Sequence, residues 1–484
     1  MKKIYLSLIL ACGLATAHAQ DNPRLSVCGL NAAETAYYMA PGWNLGNTLE
    51  AGSSADNFTD NAGTAAETSW QSTKTTQEVI DLVKRSGFKT VRIPCSWVMG
   101  HLKETTTMTI DPDWLARVKE IVDYCIKDGL FVILNDHWDG GWLEYDGFTT
   151  GADVEKKKEQ LRLLWTNIAT AFRDYDGHLL FAGMNEPGVG GASPDAQGTL
   201  MVNAYNDDSD VNETAFTNRI LEYEQVFIDA VRATGGNNAQ RVLIVQGPMV
   251  NAVKTVKFFD VSKLKDPASE RLMVEIHGYD PYRFCQMTED ASWGMMEYYW
   301  TGHAPARASA GRVGTTSEQQ AVQTAFNNMK TAFVDKGYPV ILGEYGARER
   351  TLSTTQGNQA KHNESRQYWY NFTTDYAMTA GMIPICWDIN NNGYKIVDRA
   401  NLTVGDDYDL DGIQEGVEAA QATFNTIYPE PSATAAIRTS TVLTLESDNV
   451  YDCCGRVVAK EVKDIHNISL PRGIYIYKGR KIIK

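Results

Sequence analysis

The sequence predicts an α/β fold, a (β/α)8 TIM barrel followed by a small C-terminal β-sandwich-like module. Between about residues 40 and 428, eight short apolar runs rich in β-branched residues alternate with helical patterns. Short strands bounded by helices indicate a parallel sheet that is buried on both faces. Eight such units favour a closed barrel over an open, doubly wound sheet.

The predicted strands and helices alternate regularly along this region. The strand candidates are residues 38–44, 90–94, 130–135, 179–184, 241–246, 272–276, 339–343 and 382–387. The helical patterns cover residues 76–86, 113–127, 154–172, 213–233, 318–336, 365–380 and 415–427. The longest connections, 188–212 and 284–316, follow the fourth and sixth strands, so both belong to the C-terminal face where barrel enzymes build their sites.

The two ends of the chain differ from the barrel region, residues 20–428. Residues 1–19 combine two lysines, an apolar run and the small-residue site Ala17-His18-Ala19, which is the pattern of a secretory signal peptide. A lipid anchor at Cys12 is the alternative for this segment. Residues 429–484 begin with a Pro-rich linker and continue with strand patterns at 442–445, 456–462 and 474–478, which predict a β module of about 50 residues.

Charge and hydropathy narrow the choice of partner. The chain has 484 residues and a formal net charge of −15 at pH 7. Nucleic acids and anionic membranes bind basic surfaces, so neither is an expected partner, whereas a neutral sugar polymer is compatible with this charge. No internal stretch reaches the roughly 18 consecutive apolar residues of a membrane span. We expect a secreted or cell-surface protein.

One acidic segment matches a metal-binding pattern. Asp407-x-Asp409-x-Asp411-Gly412-x5-Glu418 fits the calcium loop of an EF-hand. The pattern occurs once and lacks a convincing entering helix. We therefore favour a solvated acidic loop over a calcium site, and predict no metal and no cofactor.

Two glutamates occupy equivalent places at the ends of predicted strands. Glu186 lies in Asn185-Glu-Pro187 after the fourth strand, and Glu344 lies in Gly343-Glu-Tyr-Gly346 after the seventh. Side chains at the carboxyl ends of barrel strands point into the mouth of the barrel. Two carboxyl groups that flank a glycosidic bond can divide the work of hydrolysis between them.

Around these glutamates the sequence resembles glycoside hydrolase family 5 over nearly the whole barrel. The motifs that carry the resemblance are Gly42-Trp-Asn44-Leu-Gly-Asn-Thr-Leu-Glu50, Thr90-Val-Arg92-Ile-Pro94, Asn135-Asp-His137-Trp138, Asn185-Glu186-Pro187, His277-Gly-Tyr279, Gly343-Glu344 and Trp387. They occur in the family's order, and each lies near a predicted strand end. Trp138 departs from the family, which usually has a second histidine there.

The resemblance implies a role for each of the matching residues. Glu344 is expected to be the nucleophile and Glu186 the acid/base. Arg92 would hold the charge of Glu344 and lower its pKa, and Tyr279 would donate its hydroxyl to the same carboxylate. Asn185 would bind the sugar 2-hydroxyl.

The remaining expected substrate-binding residues would orient the sugar or form the walls of its site. These are Asn44, His137, Trp138, His277 and Trp387. Aromatic side chains in the predicted loops could stack on sugar rings or simply pack within the loops. They are Trp70, Trp142, Trp293, Tyr298, Tyr299 and Trp300.

The resemblance thus implies a retaining endo-β-1,4-glucanase of the cellulase type, acting on a β-linked polysaccharide. A xyloglucanase, lichenase, mannanase or xylanase of the same fold is the alternative, and a non-catalytic polysaccharide-binding barrel is the rival from another class. The tail, Leu470-Pro-Arg-Gly473-Ile-Tyr-Ile-Tyr-Lys478, resembles the sorting modules of bacterial type IX secretion. It implies the secretion machinery as a further partner, with a small accessory β domain as the alternative.

Overall fold

A computed structural model describes residues 22–52, 63–189, 210–391, 393–432 and most of 450–483, where 453–456, 461, 464–469, 471–473 and 478–479 are left out. The chain divides into two compact units, Met1–Pro431 and Ser432–Lys484, so the division falls three residues after the predicted end of the barrel region. The expected signal peptide, with Cys12, lies outside the described residues. Of the helices in the described part, none has the length and apolar character needed to span a membrane.

The first unit contains a closed barrel of eight parallel strands, which confirms the predicted (β/α)8 fold. Each strand pairs with its neighbours in the chain, and the first also pairs with the last. The strands are β1 (Gly42–Asn44), β2 (Thr90–Ile93), β3 (Phe131–Asn135), β4 (Leu179–Ala182), β5 (Leu243–Gln246), β6 (Leu272–Gly278), β7 (Val340–Tyr345) and β8 (Met382–Cys386). Nearly all their residues are buried, as expected for strands covered by helices outside and side chains inside.

Ten helices are present among the described residues. They are α1 (Ala32–Met39), α2 (Gln77–Arg85), α3 (Pro112–Lys127), α4 (Val154–Ala171), α5 (Asp210–Ala233), α6 (Ala252–Phe258), α7 (Tyr282–Cys285), α8 (Thr316–Ala332), α9 (Gln359–Thr379) and α10 (Asp407–Ile427). The short helices α1, α6 and α7 were not predicted. A signal for α1 existed, because Asn31 and Glu34 form a capping box at its start. This helix takes residues 38–39, which were assigned to the first strand.

Both expectations for the acidic segment at 407–418 are wrong, because it is neither a calcium loop nor a solvated loop. These residues form the first turns of α10, capped by Asp406. Asp409 is fully buried and pairs with Arg366 of α9, which also binds Asp406 at 2.9 Å. Gly412, the turn residue of the metal pattern, instead lets the helices approach, since a Cβ there would lie 2.2 Å from the Gln367 carbonyl oxygen.

The second unit contains a four-stranded antiparallel sheet. In sheet order the strands are β10 (Val457–Ala459), β9 (Val450–Asp452), β11 (Ile474–Tyr477) and β12 (Arg480–Ile483). Two of the predicted strands coincide with β10 and β11, whereas the one at 442–445 lies outside the described residues. A small apolar cluster joins Val450, Tyr475 and Tyr477 of the sheet to Val462. The described residues thus form one sheet, with no second layer of a sandwich among them.

The buried ion pair of Arg366 and Asp409 joins α9 to α10, so its loss should lower the free energy of unfolding. Arg366→Met leaves Asp409 buried beside an uncharged side chain, and we expect a loss of about 3–5 kcal/mol in the free energy of unfolding. Lys361→Met is the matched control, because Lys361 pairs with Glu364 on the exposed side of the same helix and exposed pairs contribute about 1 kcal/mol or less. Denaturant unfolding of both variants measures the difference, and equal effects would contradict this assignment.

Candidate active site

The mouth of the barrel brings Glu186, Glu344 and His277 together. One carboxylate oxygen of each glutamate and one ring nitrogen of His277 lie within 4.8 Å of one another. Carboxyl groups about 5–5.5 Å apart are typical of retaining glycosidases, whereas inverting enzymes need about 6.5–9.5 Å to admit a water molecule. Such a group could also bind a cation, but His277 Nδ1 is already within 2.7 Å of Glu186 Oε1.

Arg92 is the centre of the hydrogen-bond network under this cluster. Its guanidinium is fully buried, and Nη1 donates to Glu344 Oε1 at 3.0 Å and to Asn44 Oδ1 at 3.1 Å. Nη2 donates to Asn185 Oδ1 at 2.7 Å, while Nε lies 2.9 Å from Glu275 Oε1. One side chain from β2 therefore joins residues that lie within or just after four other strands.

Asn44 was expected to bind the sugar, but the structure buries its side chain within the barrel. It is fully buried, and its amide donates to the carbonyl oxygens of Gly343 and Cys386 at 2.8 and 3.1 Å. Its own oxygen accepts from Arg92. Asn44 therefore ties β1 to β7 and β8 and holds the guanidinium in place from below.

His277 is surrounded by carboxylates. Besides its contact with Glu186, its Nδ1 lies 3.7 Å from Glu344 and its Nε2 lies 3.6 Å from Glu275. Burial alone lowers the pKa of His277, but the charges of the three glutamates raise it to about 10. The ring is therefore an imidazolium at neutral pH, and its Nδ1–H donates to Glu186.

Glu344 receives hydrogen bonds from two sides. Tyr279 donates its hydroxyl to Oε2 at 2.9 Å, and Arg92 binds Oε1. Burial raises the pKa of Glu344, and the charge of Glu186 adds to that effect, whereas His277, Arg92 and Tyr279 counteract only part of it. The expectation that Arg92 would bring this pKa below its ordinary value was wrong, because it left out the cost of burial.

Glu186 and Asn185 stand on the loop after β4, and a third acid holds their backbone. The N–H groups of Asn185 and Glu186 donate to the same oxygen of Glu144, at 2.5 and 2.6 Å. Asn185 is 4% exposed and lines the adjoining cavity, while its side-chain oxygen accepts from Arg92.

A cavity of about 290 Å³ adjoins Glu186. Its walls include Asn47, Glu50, Trp70, His137, Trp138, Glu144, Asn185, Glu186, Val189 and Trp387. His137 and Trp387 are stacked at 6.0 Å between ring centroids, with only 5° between their planes. Burial, assisted by the charges of Arg92 and His277, lowers the pKa of His137 well below its ordinary value, so this ring is neutral.

The aromatic residues of the predicted loops separate into two groups. Trp142, Tyr298, Tyr299 and Trp300 are buried, which makes them packing residues. Trp70 and Trp293 are exposed by 44% and 66%, and Trp70 lines the cavity. Of these six side chains, only Trp70 and Trp293 are therefore exposed enough to stack on a sugar ring.

Sequence reasoning missed Glu275, which binds Arg92 and approaches His277. A signal was available, because Glu275, His277 and Tyr279 are spaced two apart, and alternate residues of a strand point to the same side. Burial raises the pKa of Glu275, but the charges of Arg92 and His277 outweigh it and lower the pKa overall. Gln246 of β5 completes its partners with a 2.6 Å hydrogen bond.

The place of Glu275 explains why residue 343 is a glycine. A Cβ at Gly343 would lie 1.9 Å from Glu275 Oε1. We expect Gly343→Ala to displace Glu275 and to cost about 1–3 kcal/mol of stability through overpacking.

Gly151→Ala is the matched control, since a Cβ there meets no atom within 4 Å, and we expect an effect within about 0.5 kcal/mol. Thermal unfolding compares the two variants. A Gly343→Ala variant as stable as the control would contradict the assigned contact.

Comparisons with known proteins identify the family of this chain. The model of the family Cellulase (glycosyl hydrolase family 5) matches residues 53–393. Endoglucanase A of Ruminococcus albus is 31% identical over 400 residues, which are 80% of this chain and 93% of that protein. The crystal structure of a xyloglucan-specific β-1,4-glucanase from a ruminal metagenomic library is 42% identical with a TM-score of 0.69, covering 81% of this chain and 97% of that one.

A broad-specificity endoglucanase from Bacteroides salanitronis is 32% identical with a TM-score of 0.65, covering 81% of this chain and 97% of that one. The family model spans more than half of this chain, and the match includes both glutamates of the barrel mouth. The chain therefore belongs to glycosyl hydrolase family 5, a family of retaining glycoside hydrolases.

Proposed function

We propose that the protein is an endo-β-1,4-glucanase in which Glu344 is the nucleophile and Glu186 the acid/base. The observation that carries this proposal is the approach of the two carboxylates to within 4.8 Å at the ends of β7 and β4. That spacing suits attack on the anomeric carbon from one side and proton transfer to the leaving oxygen from the other. The names of the relatives support the same activity.

The contacts of Glu344 suit a nucleophile. Arg92 and Tyr279 both donate to it, so its carboxylate form is stabilised and its orientation is set before substrate binds. Its attack would form a covalent glycosyl-enzyme, which water then hydrolyses. Asn185, held by Arg92, would bind the 2-hydroxyl of the same sugar, an interaction that strengthens in the transition state.

The contacts of Glu186 suit an acid/base. The imidazolium of His277 donates to Oε1, so the other oxygen can carry the proton that goes to the leaving sugar. The same oxygen would then take a proton from the attacking water in the second step. His277 thus orients the carboxyl without competing for its proton.

The barrel order predicts the direction of the substrate chain. Two strands separate β4 from β7 on one side and four on the other, so a chain that passes between the glutamates runs from the β5–β6 side to the β1–β2 side. The cavity with Trp70, His137, Trp138 and Trp387 lies on the β1 side and shares Asn185. It would hold the part of the chain that stays bound to Glu344.

Xyloglucan is a second candidate substrate. The 42% identical structure is that of a xyloglucan-specific β-1,4-glucanase in complex with the oligosaccharide XXLG. Xyloglucan has a β-1,4-glucan backbone, so the same two glutamates would serve for both polymers. A panel of carboxymethylcellulose, xyloglucan, mixed-linkage glucan, mannan and xylan distinguishes them by reducing-sugar release.

The retaining mechanism predicts the products and two variants. The wild-type enzyme releases the β-anomer first, as seen by NMR during the first minutes of hydrolysis.

Glu344→Gln is inactive on every polymer, and Glu186→Gln loses about 10²- to 10⁴-fold in kcat/KM on polymer. Glu155→Gln is the matched control on the exposed surface of α4 and keeps full activity. Initial release of the α-anomer, or an active Glu344→Gln, would refute the assignment.

We also propose that residues 1–19 direct secretion and that residues 429–484 form a sorting module of the type IX kind. The n-region, apolar run and cleavage site support the first part. The second part rests on the resemblance of the tail and on the separate four-stranded sheet of residues 450–483.

Cell fractionation in a bacterium with type IX secretion tests both parts. We expect the full chain at the cell surface or in the medium, and a chain lacking residues 432–484 in the periplasm. Deletion of residues 2–19 is the control and should keep the protein in the cytoplasm. Unchanged export of the shortened chain would exclude a sorting role for the module.

A further inference from the structure

Glu144 is a buried acid beside the acid/base, and the motifs of the family resemblance do not include it. It lies nine residues after β3, in the turn that follows Trp142, and its side chain is 3% exposed. One of its oxygens accepts the two consecutive N–H groups of Asn185 and Glu186. Its backbone carbonyl also accepts the N–H of Gly188 at 2.8 Å.

We propose that Glu144 is a positioning residue that sets the placement of Glu186 and Asn185 by accepting both of their backbone N–H groups. The backbone hydrogen bonds from this loop to other strands and loops lie on either side of this pair. Met184 donates its N–H to Gln246 at 2.8 Å, before the pair, and the Pro187 carbonyl accepts from Met249 at 3.1 Å, after it. The backbone N–H groups of the two residues that would touch the sugar are therefore held by Glu144.

The rigidity of the turn around Glu144 supports this role. The Trp142 indole is buried and donates to Asp136 at 3.1 Å, and the N–H of Tyr145 donates to the carbonyl of Gly141 at 3.2 Å. The acceptor oxygen is therefore fixed to the β3 side of the barrel, and the acid/base is located relative to a neighbouring strand rather than to its own loop. A displacement of about 1 Å in a reacting group can cost on the order of 100-fold in rate.

The other oxygen of Glu144 gives the residue a second property. Oε2 is buried and has no hydrogen-bond partner among the described residues. Burial raises the pKa of Glu144 to about 8, and the negative charge of Glu186 contributes. Below that pH Glu144 is neutral. It then accepts the two N–H groups without adding a negative charge, besides that of Glu344, next to Glu186.

Substrates with different leaving groups distinguish two roles for Glu144, the positioning of Glu186 and a general structural role. An activated aryl β-cellobioside, such as the 2,4-dinitrophenyl glycoside, leaves without protonation, whereas a cellooligosaccharide needs the acid. For Glu144→Leu we expect kcat/KM to fall about 10- to 100-fold on cellotetraose and less than about 3-fold on the activated glycoside, because Arg92 still holds the Asn185 side chain. Glu144→Gln keeps an acceptor oxygen and should restore most of the activity on cellotetraose.

Glu50→Leu is the matched control. Glu50 is another buried acid of the same cavity, and it accepts the N–H groups of Asn47 and Thr48, away from Glu186. Its loss should affect both substrates to the same degree. Equal losses on both substrates for Glu144→Leu, or no loss on either, would overturn the proposal.

A second measurement decides the case in which Glu144→Leu does not fold. Glu144→Asp keeps the carboxyl group but shortens the side chain by one methylene, which withdraws the acceptor oxygen from the N–H groups of Asn185 and Glu186. Glu144→Asp should therefore lose more activity on cellotetraose than on the activated glycoside, and the same ratio of the two kcat/KM values as in the wild type would overturn the proposal. The inference rests on the proposed function. A wild type that is inert on every polymer would refute both the proposed function and the role of Glu144. An active wild type without these differences would refute only the role of Glu144.

Discussion

The active site depends on the balance of charge around Arg92, among side chains that are almost completely buried. Arg92 and the protonated His277 supply two positive charges, and Glu275 and Glu344 supply two negative ones. A buried charge is costly unless it is paired and hydrogen-bonded. Each of these four groups has a partner of opposite charge within 4.0 Å, so the cluster is stable only as a set.

The same balance would persist through the proposed reaction. Before attack, Glu344 is a carboxylate and Glu186 carries the proton, so the five groups sum to zero. After attack, Glu344 is an uncharged ester and Glu186 has given up its proton, and the sum is again zero. Glu275 and the two cations keep their charges throughout. The site would therefore move one negative charge from β7 to β4 without a change in its total, which suits a preorganised, low-dielectric environment.

Much of this arrangement was predictable from sequence because strand ends carry strong local signals. Glu186, Glu344, Arg92, His277 and Tyr279 each follow or lie within a short apolar run, and barrel topology alone brings such residues to one face. Glu144 and Glu275 were not found for different reasons. Glu275 lies inside a strand, where a charged residue contradicts the apolar pattern, and Glu144 acts through backbone N–H groups that no sequence motif displays.

The acidic start of α10 shows how a pattern can be misread. The spacing of Asp407, Asp409 and Gly412 matches a calcium loop, but the pattern contains no information about Arg366, more than forty positions earlier in the chain. That buried arginine makes Asp409 an interior residue and the segment a helix. The pKa of Glu344 was misjudged similarly, since burial has no local sequence signal and here outweighs the nearby cations.

In the proposed mechanism Glu344 forms the covalent bond to the sugar. A 2-deoxy-2-fluoro-β-cellobioside with an activated leaving group slows hydrolysis of the glycosyl-enzyme, so the intermediate can be digested and located by mass spectrometry. We expect one added glycosyl group, on the peptide that contains Glu344. Attachment at Glu186 or Glu275, or turnover of substrate without any trapped adduct, would contradict it.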